Sequence, residues 1–266
     1  MQNKNILITG GLGFVGTWLV KKLYKNNNLY VLDNLFTGKE SNKISSVNYF
    51  IDETMNIYDL FKEIKIDIIF HLGEYSRVEQ SFDDIELVYR YNTMPFFNIV
   101  KLCLKHNAKL IYCGSSTKFA EYSKNDIISP YALSKINNVN FLNNFSEFYK
   151  IKYAITYFFN VYGEGEIEEG KYATVIAKFI KLKKENKIPL PINKPGTQKR
   201  NFTHIKDIIS GIVLVADKGF GDGYEIGSNE SFSIIDIAKI LGAKYELKPI
   251  KYGNRINSSI NTDKLK

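Results

Sequence analysis

The stretch from Asn5 to Asp33 constrains this chain more than any other. Asn5-Ile-Leu-Ile-Thr9 is a short apolar run with the length of a buried strand. Gly10-Gly-Leu-Gly13-Phe14-Val15-Gly16 follows at once, and Phe14, Val15, Trp18, Leu19 and Leu23 then recur at helical spacing. Strand, tight glycine turn and helix in succession make a seat for a pyrophosphate. The glycines let the backbone approach, and the helix N-terminus favours negative charge. A second apolar run, Leu29-Tyr-Val-Leu-Asp33, ends on an acid 17 residues after Gly16. An acid there accepts hydrogen bonds from the adenosine ribose and repels a ribose phosphate, so the expected dinucleotide is NAD rather than NADP.

Strand-like runs alternate with helical patterns through the first 160 residues. Val47–Ile51, Ile66–His71, Leu110–Cys113 and Tyr153–Phe158 read as further strands. Helical patterns lie near 14–25, 57–64, 83–106 and 131–150. This alternation predicts an α/β fold, a doubly wound parallel sheet covered on both faces. Ligands of such sheets bind beyond the carboxyl ends of the strands. The glycine turn, Asp33, His71-Leu72-Gly73-Glu74 and Ser115 all follow strand ends, so they can share one crevice. After Asn160 the pattern changes. A lysine-rich helix near 171–186, a helix over Ile208–Asp217, a short strand at Tyr224–Gly227 and a helix opened by Ser233-Ile-Ile-Asp236 predict a smaller C-terminal lobe. The expected division is 1–160 for the dinucleotide domain and 161–266 for an interleaved substrate lobe.

Within that frame, Tyr131-Ala-Leu-Ser-Lys135 carries the chemistry. The two side chains share one helix face at i,i+4 spacing. A lysine ammonium beside a phenol favours the phenolate. Such a phenol can exchange a proton with an alcohol, and Ser115, sixteen residues upstream of Tyr131, can orient that alcohol. Alcohol–ketone chemistry of this kind needs a hydride acceptor, which the glycine turn is built to hold.

Composition narrows the partners. A 44% hydrophobic and 24% charged chain is that of a globular protein, and no apolar run reaches membrane-spanning length. Met1 leads almost directly into the first strand, so no signal peptide is expected and a cytoplasmic location is. The net charge of +8 comes from lysines scattered along the chain without a nucleic-acid motif, so an anionic small molecule is the expected partner. Cys103 and Cys113 have no metal-type spacing and read as buried thiols. His71 reads as a packed strand-end residue, His204 as structural, His106 as a surface residue and Lys118 as solvated.

Taken in order, these segments resemble the extended short-chain dehydrogenase/reductase family, in particular its NAD-dependent nucleotide-sugar epimerases and dehydratases. Thr9 to Gly16 is similar to TGxxGxxG, Asp33-Asn34-Leu-Phe-Thr-Gly38 to DNLxxG, and His71 to Val78 to HLAAxxxV. Tyr157-Phe-Phe-Asn160-Val-Tyr-Gly163 resembles RYFNVYG, and Gln198 to Asp207, with Arg200, resembles QxRDFxHVxD. Asn92 stands at the family's helix asparagine. Lys251 to Arg255 resembles RxGD, with lysine at the motif's arginine position and Arg255 just beyond. The resemblance implies a Rossmann fold and a cofactor site made of Gly10, Gly13, Phe14, Val15, Asp33, Asn34, Asp52, Leu72, Gly73, Tyr131 and Lys135. It implies catalysis by Ser115, Tyr131 and Lys135, and a nucleotide diphosphate sugar held by Thr117, Asn160, Arg200 and Arg255. It also implies a homodimer paired through the helices at 83–106 and 131–150. The chain stops before the family's usual last helix, which implies a less closed substrate lobe.

Departures from the family pattern narrow the reaction. Dehydratases of the family carry acids in the two places after the catalytic hydroxyl, where this chain has Ser116 and Thr117. Glu74 stands where alanine is common, and it can serve the ligands or simply bond within its loop. The expected reaction is 4-epimerisation of a UDP-glucose/UDP-galactose-type sugar through a 4-keto intermediate. A reductase or dehydratase of the same fold, and a non-catalytic NAD-binding scaffold, are the alternatives.

Overall fold

The first strand sets the layering. In β1 (Asn5–Thr9), Ile6 and Ile8 face one side and Leu7 the other, as the two-residue period requires, and all three are fully buried. A strand buried on both faces needs helices on both, which a parallel sheet provides. The computed structural model describes residues 1–119, 128–249 and 260–265. Along the chain, β2 (Asn28–Asp33), β3 (Asn48–Ile51), β4 (Ile68–His71), β5 (Lys109–Ser115) and β6 (Tyr153–Phe158) follow β1. The remainder adds β7 (Val161–Tyr162), β8 (Leu190–Asn193), β9 (Lys199–Arg200), β10 (Thr203–His204), β11 (Gly221–Ile226), β12 (Phe232–Ser233) and β13 (Tyr245–Lys248). The helices are α1 (Phe14–Leu23), α2 (Ile57–Phe61), α3 (Ile85–Val88), α4 (Phe96–His106), α5 (Pro130–Tyr149), α6 (Val175–Lys184), α7 (Ile205–Lys218) and α8 (Ile234–Ile240).

Seven parallel strands in the order β11-β6-β5-β4-β1-β2-β3 form the central sheet. This is the expected doubly wound Rossmann arrangement. The order reverses between β1 and β4, and that switch point opens a crevice at the strands' carboxyl ends. One face packs Ile6, Ile8, Val31 and Ile111 against Leu19 and Val20 of α1 and Ile208 and Ile212 of α7. The other packs Leu7, Leu32, Ile69 and Leu110 against Phe61 of α2, Ile99 and Leu102 of α4, and Val139 and Leu142 of α5. The later chain contributes both β11 and α7 to this layer. A separate small core of Phe179, Leu190, Ile192, Ile237 and Ala238 joins α6, β8 and α8.

Local signals explain the elements that position the site. Ser129 caps α5, its Oγ accepting from the Ala132 amide at 3.2 Å, and Pro130 takes the first helical position, where its missing N–H costs nothing. Ser233 and Asp236 form the reciprocal cap of α8 that their spacing predicts. The single helix expected over 83–106 is broken into α3, a π turn over Tyr89–Thr93, and α4. Pro95 lacks an N–H and crowds the preceding turn, so the helix restarts after it. The π turn carries Asn92, fully buried, which accepts from the Tyr75 amide at 2.7 Å and donates to the Tyr75 carbonyl at 3.0 Å. His106, expected at the surface, is buried at the end of α4 with Nε2 3.1 Å from the Phe61 carbonyl oxygen. Both cysteines are buried and free, and burial pushes each thiol up to about 12. Among the described residues no helix is long and apolar enough to cross a membrane.

Candidate active site

The glycine turn joins the ends of β1 and β4 at backbone contact. Gly10 sits at φ +70°, and a Cβ there would lie 2.7 Å from the Gly73 Cα. A Cβ on Gly16 would lie 2.0 Å from the Gly10 carbonyl oxygen. Only glycine allows α1 to start this close to the strand. The amides of Phe14 and Val15, in the first turn of α1, have no partner within the helix, and a helix N-terminus of this kind suits an anion.

Asp33, buried at the end of β2, accepts from the Leu12 amide at 2.9 Å and the Leu35 amide at 2.8 Å. Burial raises its carboxyl above the ordinary value, against the opposing pull of backbone bonds from Leu12, Leu35 and Gly13. A carboxylate offers about four acceptor positions, so room remains for ribose hydroxyls. Gly38 is the necessary neighbour, since a Cβ there would lie 2.7 Å from Asp33 Oδ1. Asn34 and Asp52 line an open groove of about 330 Å³ with Phe36, Ile51, Glu53 and Tyr91. Asp52 is held there by the Glu53 amide at 2.7 Å and Asn56 Nδ2 at 2.8 Å. The glycine cradle, its free amides and the desolvated acid together fit a dinucleotide such as NAD.

Tyr131 and Lys135 are both buried in the first turns of α5. The Lys135 ammonium donates to the carbonyl oxygen of Cys113, two residues before Ser115, and to Glu74 Oε2. Helix and strand end are thereby tied together at the crevice. The Glu74 side chain is 2% exposed. Its Oε1 accepts from Tyr112 Oη at 3.2 Å and Asn138 Nδ2 at 3.1 Å, and lies 3.5 Å from His71 Nε2. Burial pushes this carboxyl up, but the charges of Lys135 and His71 and their hydrogen bonds outweigh it and hold it below the usual carboxylate range. Burial likewise opposes the Lys135 ammonium, and Glu74 and Tyr131 more than compensate, leaving it raised. On its far side, His71 Nδ1 lies 2.7 Å from Thr9 Oγ1, which also accepts the Gly73 amide at 3.0 Å. One buried polar chain thus runs from the glycine turn to the helix that carries Tyr131. Leu72 and Gly73 lie on the loop between His71 and Glu74.

Ser115, at the end of β5, accepts from the Thr117 amide at 3.3 Å and from Thr117 Oγ1 at 2.9 Å. Both hydroxyls therefore occupy one spot. Lys118, expected to be solvated, instead pairs with Asp222 of β11 and donates to Tyr157 Oη at 3.0 Å. His204 caps α7 by accepting the Lys206 amide at 3.3 Å.

Asn160 lines a cavity of about 190 Å³ with Arg77, Tyr162, Glu166, Thr174 and Phe202. Arg200 stands on β9 and is not among the lining residues. Arg255 lies outside the described residues. Sequence reasoning missed Arg77 as a site residue. Its guanidinium donates to the Tyr172 carbonyl oxygen at 2.8 and 3.0 Å and to Ser76, all neutral oxygens, and burial lowers its pKa. The available signal was scarcity: the chain has four arginines against its many lysines, and this one follows directly on the β4 loop.

Comparison with known proteins identifies the family. The model of the NAD dependent epimerase/dehydratase family matches residues 6–227. A Methanocaldococcus jannaschii protein described as a candidate UDP-glucose 4-epimerase is 30% identical over 249 residues, spanning 86% of this chain and 81% of that one. A human dTDP-D-glucose 4,6-dehydratase is 31% identical over 266 residues, spanning 90% of this chain and 73% of that one. The solved UDP-N-acetylglucosamine 4-epimerase of Methanobrevibacter ruminantium, in complex with UDP-N-acetylmuramic acid, matches with a TM-score of 0.89 at 26% identity, covering 100% of this chain and 91% of that one.

Proposed function

The chain belongs to the NAD-dependent epimerase/dehydratase family, and on that premise we propose that it is a nucleotide-sugar 4-epimerase of the UDP-glucose/UDP-galactose type. One observation carries the reading: Lys135 bonds to the strand end that bears Ser115, one helical turn from Tyr131 and beside the glycine crevice. Tyr131 Oη removes the proton of the sugar's 4-hydroxyl. The Lys135 ammonium favours the phenolate that does so and holds the nicotinamide ribose. NAD held by the glycine turn, Asp33 and Lys135 would supply the hydride acceptor for carbon 4. Ser115 and Thr117 hydrogen-bond the reacting oxygen. Asn160, Arg200 and Arg255 hold the diphosphate, which leaves the sugar free to turn and present its other face. Tyr131 then returns the proton.

Elimination of water is disfavoured because Ser116 and Thr117 hold no acid at the places where a dehydratase needs one. In this reading residues 161–266 form the nucleotide-sugar lobe, interleaved with the cofactor domain of 1–160. The enzyme works as a cytoplasmic homodimer. Support for the dimer is the apolar exposure on α4 and α5, where Phe97 and Phe148 are 63% and 79% exposed. Two free, buried thiols suit a reducing compartment.

The test is to mix the protein with a panel of nucleotide sugars and follow products by NMR without added cofactor. Inversion at carbon 4 with no free cofactor consumed supports the proposal. In a parallel assay with NADH added, its net consumption supports a reductase, and loss of water in either assay supports a dehydratase. Tyr131→Phe should lower turnover roughly a hundred- to ten-thousand-fold while NAD stays bound. A variant with undiminished turnover refutes the assigned role.

A further inference from the structure

We propose that Glu74 is a positioning residue for Lys135: its buried carboxylate clamps the ammonium in one orientation and keeps it charged in a desolvated site. The inference rests on the cofactor reading above and deepens it. Lys135 has three N–H donors. Two are engaged, by Glu74 Oε2 and the Cys113 carbonyl oxygen. The third remains available to the phenol and, when it is bound, to the cofactor ribose. An unclamped lysine stem would sample several rotamers, and each would aim the charge elsewhere.

Glu74 is itself over-determined. Asn138, one turn beyond Lys135 on α5, donates to Glu74 Oε1 and to the Asn92 carbonyl oxygen at 3.0 Å. Tyr112 of β5 donates to the same carboxylate oxygen, and His71 of β4 flanks it. The charged and titratable groups facing the pair are therefore His71 from β4, Tyr112 and Cys113 from β5, and Tyr131 from α5. Arg77, from the loop after β4, faces Tyr131. Glu74 is the sole carboxylate in ion-pair contact with Lys135 among the described residues. Burial acts against the ammonium, and Glu74 is the largest influence opposing it. Without that carboxylate burial is opposed less, and Lys135 loses its proton at lower pH.

The test is calorimetric titration of NAD into wild type, Glu74→Gln and Glu74→Asp across about pH 6.5 to 9.5, a range where an ordinary lysine stays charged. Wild-type affinity should stay level. Glu74→Gln keeps the shape but not the charge, so its affinity should match wild type more closely at the acid end and fall several-fold or more by the alkaline end. Glu74→Asp keeps the charge at shorter reach, so it should bind more weakly throughout with a level profile. A Glu74→Gln profile parallel to wild type, or a Glu74→Asp profile that falls with pH, overturns the inference. A wild-type protein that binds no NAD at any pH overturns instead the cofactor reading beneath it.

Discussion

Gly16→Ala tests the glycine turn by adding one methyl group. The new Cβ would lie 2.0 Å from the Gly10 carbonyl oxygen and 2.6 Å from the Gly11 Cα. Ordinary contact would require roughly 1.5 Å more room. Both obstacles are backbone, so the turn or the whole of α1 must move. Overpacking of this kind costs about 3 kcal/mol at the upper end of its usual range. Alanine recovers about 1 kcal/mol through its better helix propensity. The net loss is about 2 kcal/mol. For a chain of 266 residues the unfolding entropy is about 0.56 kcal/mol/K, so Tm should fall by about 4 °C. Binding should suffer more. A shift of that size removes the Phe14 and Val15 amides from the pyrophosphate, and losing one charge-assisted bond alone weakens NAD by about tenfold or more. Gly170→Ala is the control. It has nothing within 4 Å and a φ of +78°, so its cost is backbone strain of about 1–2 kcal/mol, away from the turn. Both variants should melt earlier, and only Gly16→Ala should lose NAD affinity in calorimetry. Wild-type affinity in Gly16→Ala would refute the reasoning.

Two further outcomes follow from the buried acids. Asp33→Asn removes an acceptor for ribose hydroxyls and the charge that repels a ribose phosphate, so NAD affinity should fall by about tenfold or more while NADP gains relative to NAD. Titration with both cofactors checks this, and an unchanged ratio contradicts it. The Glu74–Lys135 pair should also make stability depend on pH at two ends. Glu74 has a lowered folded pKa, so its contribution is present above the ordinary carboxylate value and is lost as pH falls through the folded one. Lys135 has a raised one, so its contribution is full below the ordinary lysine value and is lost as pH rises through the folded one. Melting temperature against pH should therefore be flatter in a Glu74→Gln/Lys135→Met double variant than in wild type, and coincident curves would dismiss the pair.

What the sequence made legible was local. The glycine turn could be read because its strand, loop and helix are contiguous and each residue's role is set by its neighbours. Tyr131 and Lys135 could be read because four residues of helix bring them together. Pro95 stands in the sequence at the break in the helix expected over 83–106. What escaped was tertiary. Glu74 meets Lys135 across 61 residues, Lys118 meets Asp222 across 104, and Arg77 meets the Tyr172 carbonyl oxygen across 95. None of these pairs leaves a mark in composition or period. His106 escaped for the same reason: nothing in α4 alone says that the end of α2 will cover it.

The placement of Glu74 bears on which reaction this crevice performs. Water elimination needs a carboxylic acid that can give its proton to a leaving hydroxyl, and such acids work when their environment raises their pKa. Among the described residues Glu74 is the carboxylate paired with Lys135, and its environment does the opposite. Burial alone would raise it. Lys135 and His71 hold it below the ordinary range, and Tyr112, Asn138 and Lys135 already donate to its oxygens. An ionised, fully bonded carboxylate has no proton to give. Its charge serves Lys135 and through it Tyr131, which is what a reversible alcohol–ketone exchange requires. Glu74 therefore supplies no acid for dehydration, and its charge suits a reaction in which one proton leaves and returns through the same phenol.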